Sequence, residues 1–163
     1  SQLDRLDEYI RQRREMADYL TEAMSKIAGI AGPMAPGYAD PVHFMYVIEF
    51  RPEELDLDVP TEKFKSAVWA ALEAEGVDIL QWQREPIPAM KFFQDERGYG
   101  RAYPWRCGDS TVTYDPDDYP QAQRFVASHA YLGGVFPPND MALVERYAEA
   151  FRKVFAQIDA VVG

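Results

Sequence analysis

The chain has 163 residues, of which 47% are hydrophobic and 27% charged, and this balance is typical of one folded domain. Its net charge of −10 argues against binding to nucleic acid or to an anionic membrane surface, because both select basic proteins. No stretch approaches the ~18 apolar residues of a membrane-spanning helix. With one cysteine, Cys107, the chain can form neither an internal disulfide nor a cysteine zinc site, which favours the cytoplasm.

The chain begins with an amphipathic pattern. Apolar residues recur every three or four positions over residues 2–28, which predicts one long helix with a single buried face. Gly29 follows where the helix should end. The residues of this face are Leu3, Leu6, Ile10, Ala17, Leu20, Met24 and Ile27.

A strand, a helix and a second strand are predicted next. Residues 42–50 are dominated by β-branched and aromatic side chains, which favours a strand. Thr61 is predicted to cap a helix that ends before Gly76. Residues 77–82 then predict a short second strand.

Residues 83–118 contain many prolines, glycines and aromatic residues and no lasting period. Such a stretch is far longer than typical loops, so a functional loop or a contact segment is expected. Pro120 suits the first turn of a third helix. Residues 131–136 predict a third strand at the edge of the sheet, and a last helix follows "PPND" with Ile158 on its buried face.

This order of elements predicts an α+β fold, in which helices cover a sheet of few strands. We expect residues 1–163 to form a single small domain.

The segment 82–106 is the richest in candidate binding residues. Aromatic rings beside guanidinium groups suit a bound carboxylate or phosphate. The same composition also fits a loop packed on its own domain, or an interface with a neighbour. All three interpretations stay open from the residues alone. The residues concerned are Trp82, Phe92, Phe93, Tyr99, Tyr103, Trp105, Arg84, Arg97, Arg101 and Arg106.

Isolated polar residues carry weaker signals. His43 lies at the start of the first predicted strand, where an ordinary hydrogen bond is the favoured interpretation and a substrate contact the alternative. Cys107 lacks a Cys–His signature, so a packing role is favoured over a nucleophile. Since His43 and His129 are far apart in sequence, we predict no metal site. Local ion pairs are expected to explain the Arg13-Arg14 doublet on the first helix.

The order of several motifs resembles one known family. The motifs are "QLDRLDEYIRQRREMADYL", "PVHFMYVIEF", "EKFKSAVWAALEAEGVDI", "REPIP", "YPQAQRF" and "ERYAEAFRKVFAQID". Nearly the whole chain is similar to the C-terminal part of the pyridoxal-phosphate-dependent sugar aminotransferases of the DegT type (DegT/DnrJ/StrS). Each motif is weak alone, but their common order is fairly specific.

The resemblance implies the small C-terminal domain of a fold-type-I aminotransferase. Such enzymes move an amino group from glutamate or glutamine to a keto sugar, usually nucleotide-linked, or to a keto cyclitol. It also implies a homodimer, a pyridoxal phosphate cofactor and a separate large domain that carries the cofactor lysine.

The chain departs from the family pattern in several places. The large domain is missing, and none of the lysines stands in a context like the family's lysine motif, so no catalytic residue is assigned. Pro86, Ile87 and Pro88 occupy a turn that holds a histidine in many members. Glu49 and Phe50 replace more neutral strand residues. The lysines are Lys26, Lys63, Lys65, Lys91 and Lys153.

The resemblance therefore predicts that this chain has no catalytic activity by itself. Trp82 and Arg84, at the end of the second strand, are predicted substrate contacts with His43 behind them, because the Arg84 fork fits a carboxylate or a phosphate. One alternative is a non-catalytic module of the same fold, retained for dimerisation or sugar binding. Another is a pyridoxal-phosphate-dependent sugar dehydratase.

Overall fold

The structure is a computed structural model that describes residues 3–96, 99–100, 103–105, 108 and 112–163. The chain forms two compact units. The first combines Ser1–Trp82 with Ser128–Gly163, and the second is Gln83–Ala127, inserted between these two segments. Each unit is described by itself.

The first unit contains a four-stranded antiparallel sheet in the order β1-β2-β4-β3. At its centre Tyr46 faces Leu132 and Glu49 faces His129, so strands from the two chain segments of this unit pair directly. The strands are β1 (Ile30–Ala31), β2 (Tyr46–Phe50), β3 (Ile79–Leu80) and β4 (His129–Leu132).

Four helices belong to the first unit, whereas α3 and most of α4 belong to the second. A 3-10 turn, Leu3–Arg5, leads into the first helix. The helices are α1 (Leu6–Met24), α2 (Thr61–Ala74), α3 (Lys91–Gln94), α4 (Pro120–Ser128), α5 (Met141–Phe155) and α6 (Ile158–Val162).

The hydrophobic core lies in the first unit. Alternation along β2 buries Tyr46, Ile48 and Phe50 on one face, as the period of two in a strand requires. Phe64 of α2 packs edge-on against Phe50, with ring centroids 6.3 Å apart, and equally close to Phe155 of α5. Met16, Leu20 and Met24 of α1, together with Val144, Ala148 and Phe151 of α5, complete this core.

The structure corrects three of the sequence-based predictions. The strand predicted at the edge of the sheet begins earlier, at His129, and is central, because β2 and β3 pair with its two sides. Pro60 occupies the cap position assigned to Thr61, and no side chain caps that helix. Ile158 belongs to the separate helix α6.

Three predicted elements are shorter in the structure. The first helix ends at Met24, and the first strand starts at Tyr46 because residues 42–45 approach it in irregular backbone. The second strand, predicted over residues 77–82, comprises only Ile79–Leu80. The predicted helix starting at Pro120 is confirmed.

The second unit is built differently from the first. Besides α3 and most of α4, it contains 3-10 turns at Ile87–Ala89 and Pro116–Asp118. None of its described residues is buried. Its aromatic side chains therefore lie at a surface rather than in a core.

Gly29 provides a test of the packing between the end of α1 and the core. It has a φ of +87°, and a Cβ there would overlap Leu55 Cδ1 and lie 3.2 Å from Phe155 Cε1. We expect Gly29→Ala to lower the free energy of unfolding by about 2 to 4 kcal/mol, from backbone strain and overpacking together.

Gly76→Ala is the matched control. Gly76 has nearly the same φ, +84°, but nothing within 4 Å of an added Cβ, so only the strain of about 1 to 2 kcal/mol applies. Urea unfolding of both variants measures the difference. Equal losses would show that Leu55 and Phe155 do not confine residue 29.

Candidate functional site

Arg14 forms hydrogen bonds with the loop that leads into β2. Its Nε donates to the carbonyl of Pro41 at 3.0 Å, and its Nη2 donates to the carbonyl of Asp40 at 3.1 Å. The same Nη2 lies 2.8 Å from the Asp40 carboxylate. The prediction of local helical ion pairs is therefore wrong for Arg14, whose partners lie 26 and 27 residues away. Helical pairing does hold for Arg11, with Glu8 and Glu15.

Arg13 lies beside the same loop. Its Nη1 donates to the carbonyl of His43 at 3.4 Å, and its guanidinium carbon lies 5.2 Å from the centroid of the Phe136 ring. His43 itself adopts a left-handed conformation with a φ of 47°, which is uncommon outside glycine and asparagine. Arg13 and Arg14 thus bind backbone carbonyl groups on the loop whose bend directs the chain into the sheet.

The side chain of His43 is half-buried, and its ring lies 6.4 Å from that of Tyr46. Burial lowers the pKa of His43; Asp18 opposes this change, while Arg14 and Arg13 add to it. The imidazole is therefore neutral at pH 7. The neutral ring can accept or donate a hydrogen bond but carries no charge for anion binding. The structure does not test its predicted contact with substrate.

A buried polar contact lies on the core side of this loop. The hydroxyl groups of Tyr46 and Thr21 are 2.9 Å apart, and burial raises the pKa of Tyr46. The phenol is thus a structural group that joins β2 to α1. The sequence gives no signal for this pair, because the two residues are 25 positions apart.

Trp82 and Arg84 lie on either side of the boundary in sequence between the two units. Trp82 is the last residue of the first segment and its side chain is 73% exposed, whereas Arg84 is an exposed residue of the second unit. Gln81 directly precedes Trp82, and its side chain accepts a hydrogen bond of 3.4 Å from Lys65 of α2. Burial lowers the pKa of Lys65. The role of Trp82 and Arg84 as substrate contacts stays a prediction.

The second unit contains an aromatic cluster of four rings: Phe92, Phe93, Trp105 and Tyr114. Centroid distances are 5.3 Å between the two phenylalanines and 4.9 Å from Phe92 to Trp105. Phe93 lies 5.9 Å from Trp105 and 5.2 Å from Tyr114. Gln94 connects the turn before α3 to the segment that carries Tyr114. Its Nε2 donates to the carbonyl of Pro88 at 2.7 Å and to that of Tyr114 at 2.6 Å.

Two grooves adjoin the aromatic cluster. One, of about 300 Å³, is lined by aromatic and apolar side chains, and the other, of about 440 Å³, mainly by polar ones. Phe93 and Tyr114 line both grooves. The predicted binding residues Arg97, Arg101 and Arg106, and also Cys107, lie outside the described residues.

Apolar side chains are also exposed on the first unit. Met34, Tyr38 and Phe44 are 86%, 93% and 76% exposed, and all lie on the connection between β1 and β2. Leu3 and Leu6 are exposed at the start of the chain. Exposed apolar residues so close in sequence are typical of a contact surface.

The five lysines of the chain are engaged in other contacts or exposed. Lys26 pairs with Glu22 at 2.8 Å, Lys153 with Glu75 at 2.7 Å, and Lys91 lies 3.9 Å from Asp95. Lys63 is exposed on α2, and Lys65 is directed to Gln81. None of these five lysines faces the groove of the aromatic cluster, whose lining is given above.

Within the described part of the chain, no helix is long and apolar enough to cross a membrane. Nor do its histidines, cysteines and carboxylates gather there in groups of three or more that could hold a metal ion. His43 precedes β2, and His129 faces Glu49 across the sheet.

One characterised relative matches nearly the whole chain in sequence. It is the L-glutamine:scyllo-inosose aminotransferase of Streptomyces griseus, with 27% identity over 98% of this chain. The chain spans 36% of the length of that relative. No protein-family profile matches the sequence.

Two crystal structures of larger proteins contain the same fold. S. venezuelae DesV, solved with a ketimine intermediate, superposes with a TM-score of 0.71 over 94% of this chain and 33% of its own, at 17% identity. The aminotransferase TlmJ of Streptoalloteichus hindustanus gives 0.64 over 96% and 34%, at 18% identity. The predicted α+β fold of an aminotransferase small domain and the resemblance to the C-terminal part of that family are confirmed.

The contacts of Arg14 generate a prediction about the loop before β2. Arg14→Met keeps the aliphatic stem but removes two hydrogen bonds to carbonyl groups, so we expect a loss of about 1 to 2 kcal/mol in the free energy of unfolding. Arg11→Met is the control, since its exposed helical pairs are worth about 0.5 kcal/mol or less. Thermal unfolding compares the two. Equal effects would contradict a special role for Arg14.

Proposed function

We propose, from the likeness of this chain to the C-terminal part of DegT-type sugar aminotransferases, that it is the small domain of such an enzyme. The whole enzyme would transfer an amino group from glutamate or glutamine to a keto sugar, nucleotide-linked or free, or to a keto cyclitol. The observation that carries this proposal is coverage: an aminotransferase matches 98% of the chain in sequence with only 36% of its own length.

The catalytic machinery would lie outside this chain. Pyridoxal phosphate, when bound to the whole enzyme, supplies the electron sink for amino transfer and needs a lysine for its attachment. The five lysines described above are engaged in other contacts or exposed, which supports a separate large domain as the source of that lysine. We therefore expect no transaminase activity from the 163 residues alone.

The compartment and the oligomeric state of the proposed enzyme follow from the same likeness. We propose that it is a cytoplasmic homodimer. The exposed side chains of Met34, Tyr38 and Phe44 are suited to contact the large domain or the partner subunit, because burying such apolar area is favourable.

Three residues are proposed to contact substrate. Arg84 would hold the carboxylate of the amino donor or a phosphate of the acceptor, since its fork forms paired hydrogen bonds with either. Trp82, two residues earlier in the chain, would offer an exposed apolar face. His43, neutral at pH 7, would provide a hydrogen bond rather than a charge.

A chimeric enzyme tests the proposal. The matching segment of the S. griseus aminotransferase is replaced by this chain, and glutamine-dependent amination of scyllo-inosose is measured with added pyridoxal phosphate. We expect activity above that of the truncated relative. A folded chimera that binds the cofactor and stays inactive with this and other keto acceptors would contradict the proposal.

Arg84→Ala in that chimera tests the proposed contact. We expect the KM for one of the two substrates to rise about tenfold or more, because a charge-assisted hydrogen bond is worth about 1.5 to 3 kcal/mol. Lys91→Ala, which removes another exposed cation of the second unit, is the control and should leave both KM values unchanged. Unchanged kinetics in Arg84→Ala would remove the assignment.

A further inference from the structure

Lys65 is a buried lysine beside the core-facing row of α2. Phe64, Val68 and Leu72 follow one another at four-residue spacing and are fully buried, and Lys65 lies next to this row. It is only 9% exposed, although lysine is almost never buried to this extent without a polar partner. An apolar residue of similar length would avoid the cost of taking an amine out of water, so stability alone gives no reason for a lysine here.

The end of the Lys65 side chain is directed to the end of β3. Its Nζ donates to Gln81 Oε1 at 3.4 Å, since the long stem of a lysine can lie along apolar surface while its nitrogen reaches a polar group. Gln81 is one residue beyond Leu80, the last residue of β3, which faces Tyr131 in the sheet. The bond therefore attaches to α2 a segment that has just left the sheet.

Trp82 follows directly after this attachment. Its side chain is 73% exposed, so packing holds little of the indole. Rotamer choice depends on the backbone dihedral angles, and a fixed backbone next to Trp82 therefore narrows the directions in which the indole can project. Such pre-organisation lowers the entropic cost of binding a ligand against the ring.

We propose that Lys65 is a positioning residue, which holds the end of β3 through Gln81 and thereby orients the exposed indole of Trp82. Lys65 itself touches no substrate in this arrangement. All three residues belong to the first unit. That the orientation serves a substrate rests on the function proposed above, whereas the orientation itself does not.

The rotational freedom of Trp82 tests this role in the 163-residue chain. Replacing Trp69 and Trp105 by phenylalanine leaves Trp82 as the sole tryptophan, and time-resolved fluorescence anisotropy then measures its motion. Lys65→Met keeps an unbranched apolar stem but has no donor. We expect it to increase the amplitude of the fast local motion about twofold or more, because a hydrogen bond favours the attached state roughly two- to tenfold.

Three further variants in the same parent sharpen the test. Gln81→Leu, which removes the acceptor, should have the same effect as Lys65→Met, whereas Lys65→Arg keeps a donor and should retain the parent's anisotropy. Lys63→Met, at an exposed position of the same helix, is the matched control. Unchanged motion of Trp82 in both Lys65→Met and Gln81→Leu would overturn the proposal, and so would an equal change in Lys63→Met.

The melting temperature separates positioning from a general structural role. Lys65→Met replaces a buried polar group by an apolar one, so we expect the melting temperature of the chain to stay the same or to rise. If Trp82 becomes more mobile only together with a marked fall in melting temperature, Lys65 is a structural residue and the proposal is wrong.

The chimera tests the consequence for substrate through a double-mutant cycle. Lys65→Met should raise the KM for one substrate severalfold at unchanged kcat, and should add nothing once Trp82 is replaced by alanine. Effects that add in full would contradict action through Trp82. If the chimera is inactive, or if Trp82→Ala leaves its kinetics unchanged, the proposed function or the Trp82 contact fails, and the anisotropy still decides whether Lys65 orients the indole.

Discussion

The pairing of β2 with β4 is the constraint on which the rest of the structure depends. Tyr46 to Glu49 face Leu132 to His129, so two parts of the chain about 80 residues apart in sequence form the centre of one sheet. β1 and β3 add to the two sides of this pair, and the buried residues of the first unit gather around it. Everything between β3 and β4 is therefore an insertion into the sheet connection.

This topology separates the hydrophobic core from the exposed aromatic rings. Among the described residues, those of the hydrophobic core all belong to the first unit, whose arginine doublet fixes the bend that leads into β2. The described residues of the second unit are all at least partly exposed, and its aromatic rings line open grooves. Changes of sequence among these exposed residues therefore leave the buried side chains of the first unit unaltered.

Much of the fold could be predicted from the sequence, because apolar periodicity reflects local geometry. The long first helix, the strand ending at Phe50, and the helices beginning at Thr61 and Pro120 all follow from that pattern. The position of β4 could not be predicted, since which strands become neighbours depends on contacts between distant residues. A short apolar run looks the same at the edge and at the centre of a sheet.

The site was harder to predict than the fold, and for a related reason. Composition indicated that residues 82–106 bind or contact something, and the structure places three of their rings together. Gln94 and Asp115 gave no signal, because their position beside Phe93 and Tyr114 in one groove exists only after folding. The prediction for Arg14 was wrong because the sequence shows carboxylates nearby on the same helix. In the structure its carboxylate partner is Asp40, in the loop before β2.

The central claim is that the first unit folds around the β2–β4 pair without help from the insertion. Replacing residues 83–127 with an Asn-Gly link, which favours a tight hairpin turn, tests it directly. The account predicts that this variant keeps the near-ultraviolet circular dichroism of its buried aromatic residues and unfolds in one cooperative thermal transition. A variant without a cooperative transition, or one that binds a hydrophobic dye as a molten globule does, would contradict it.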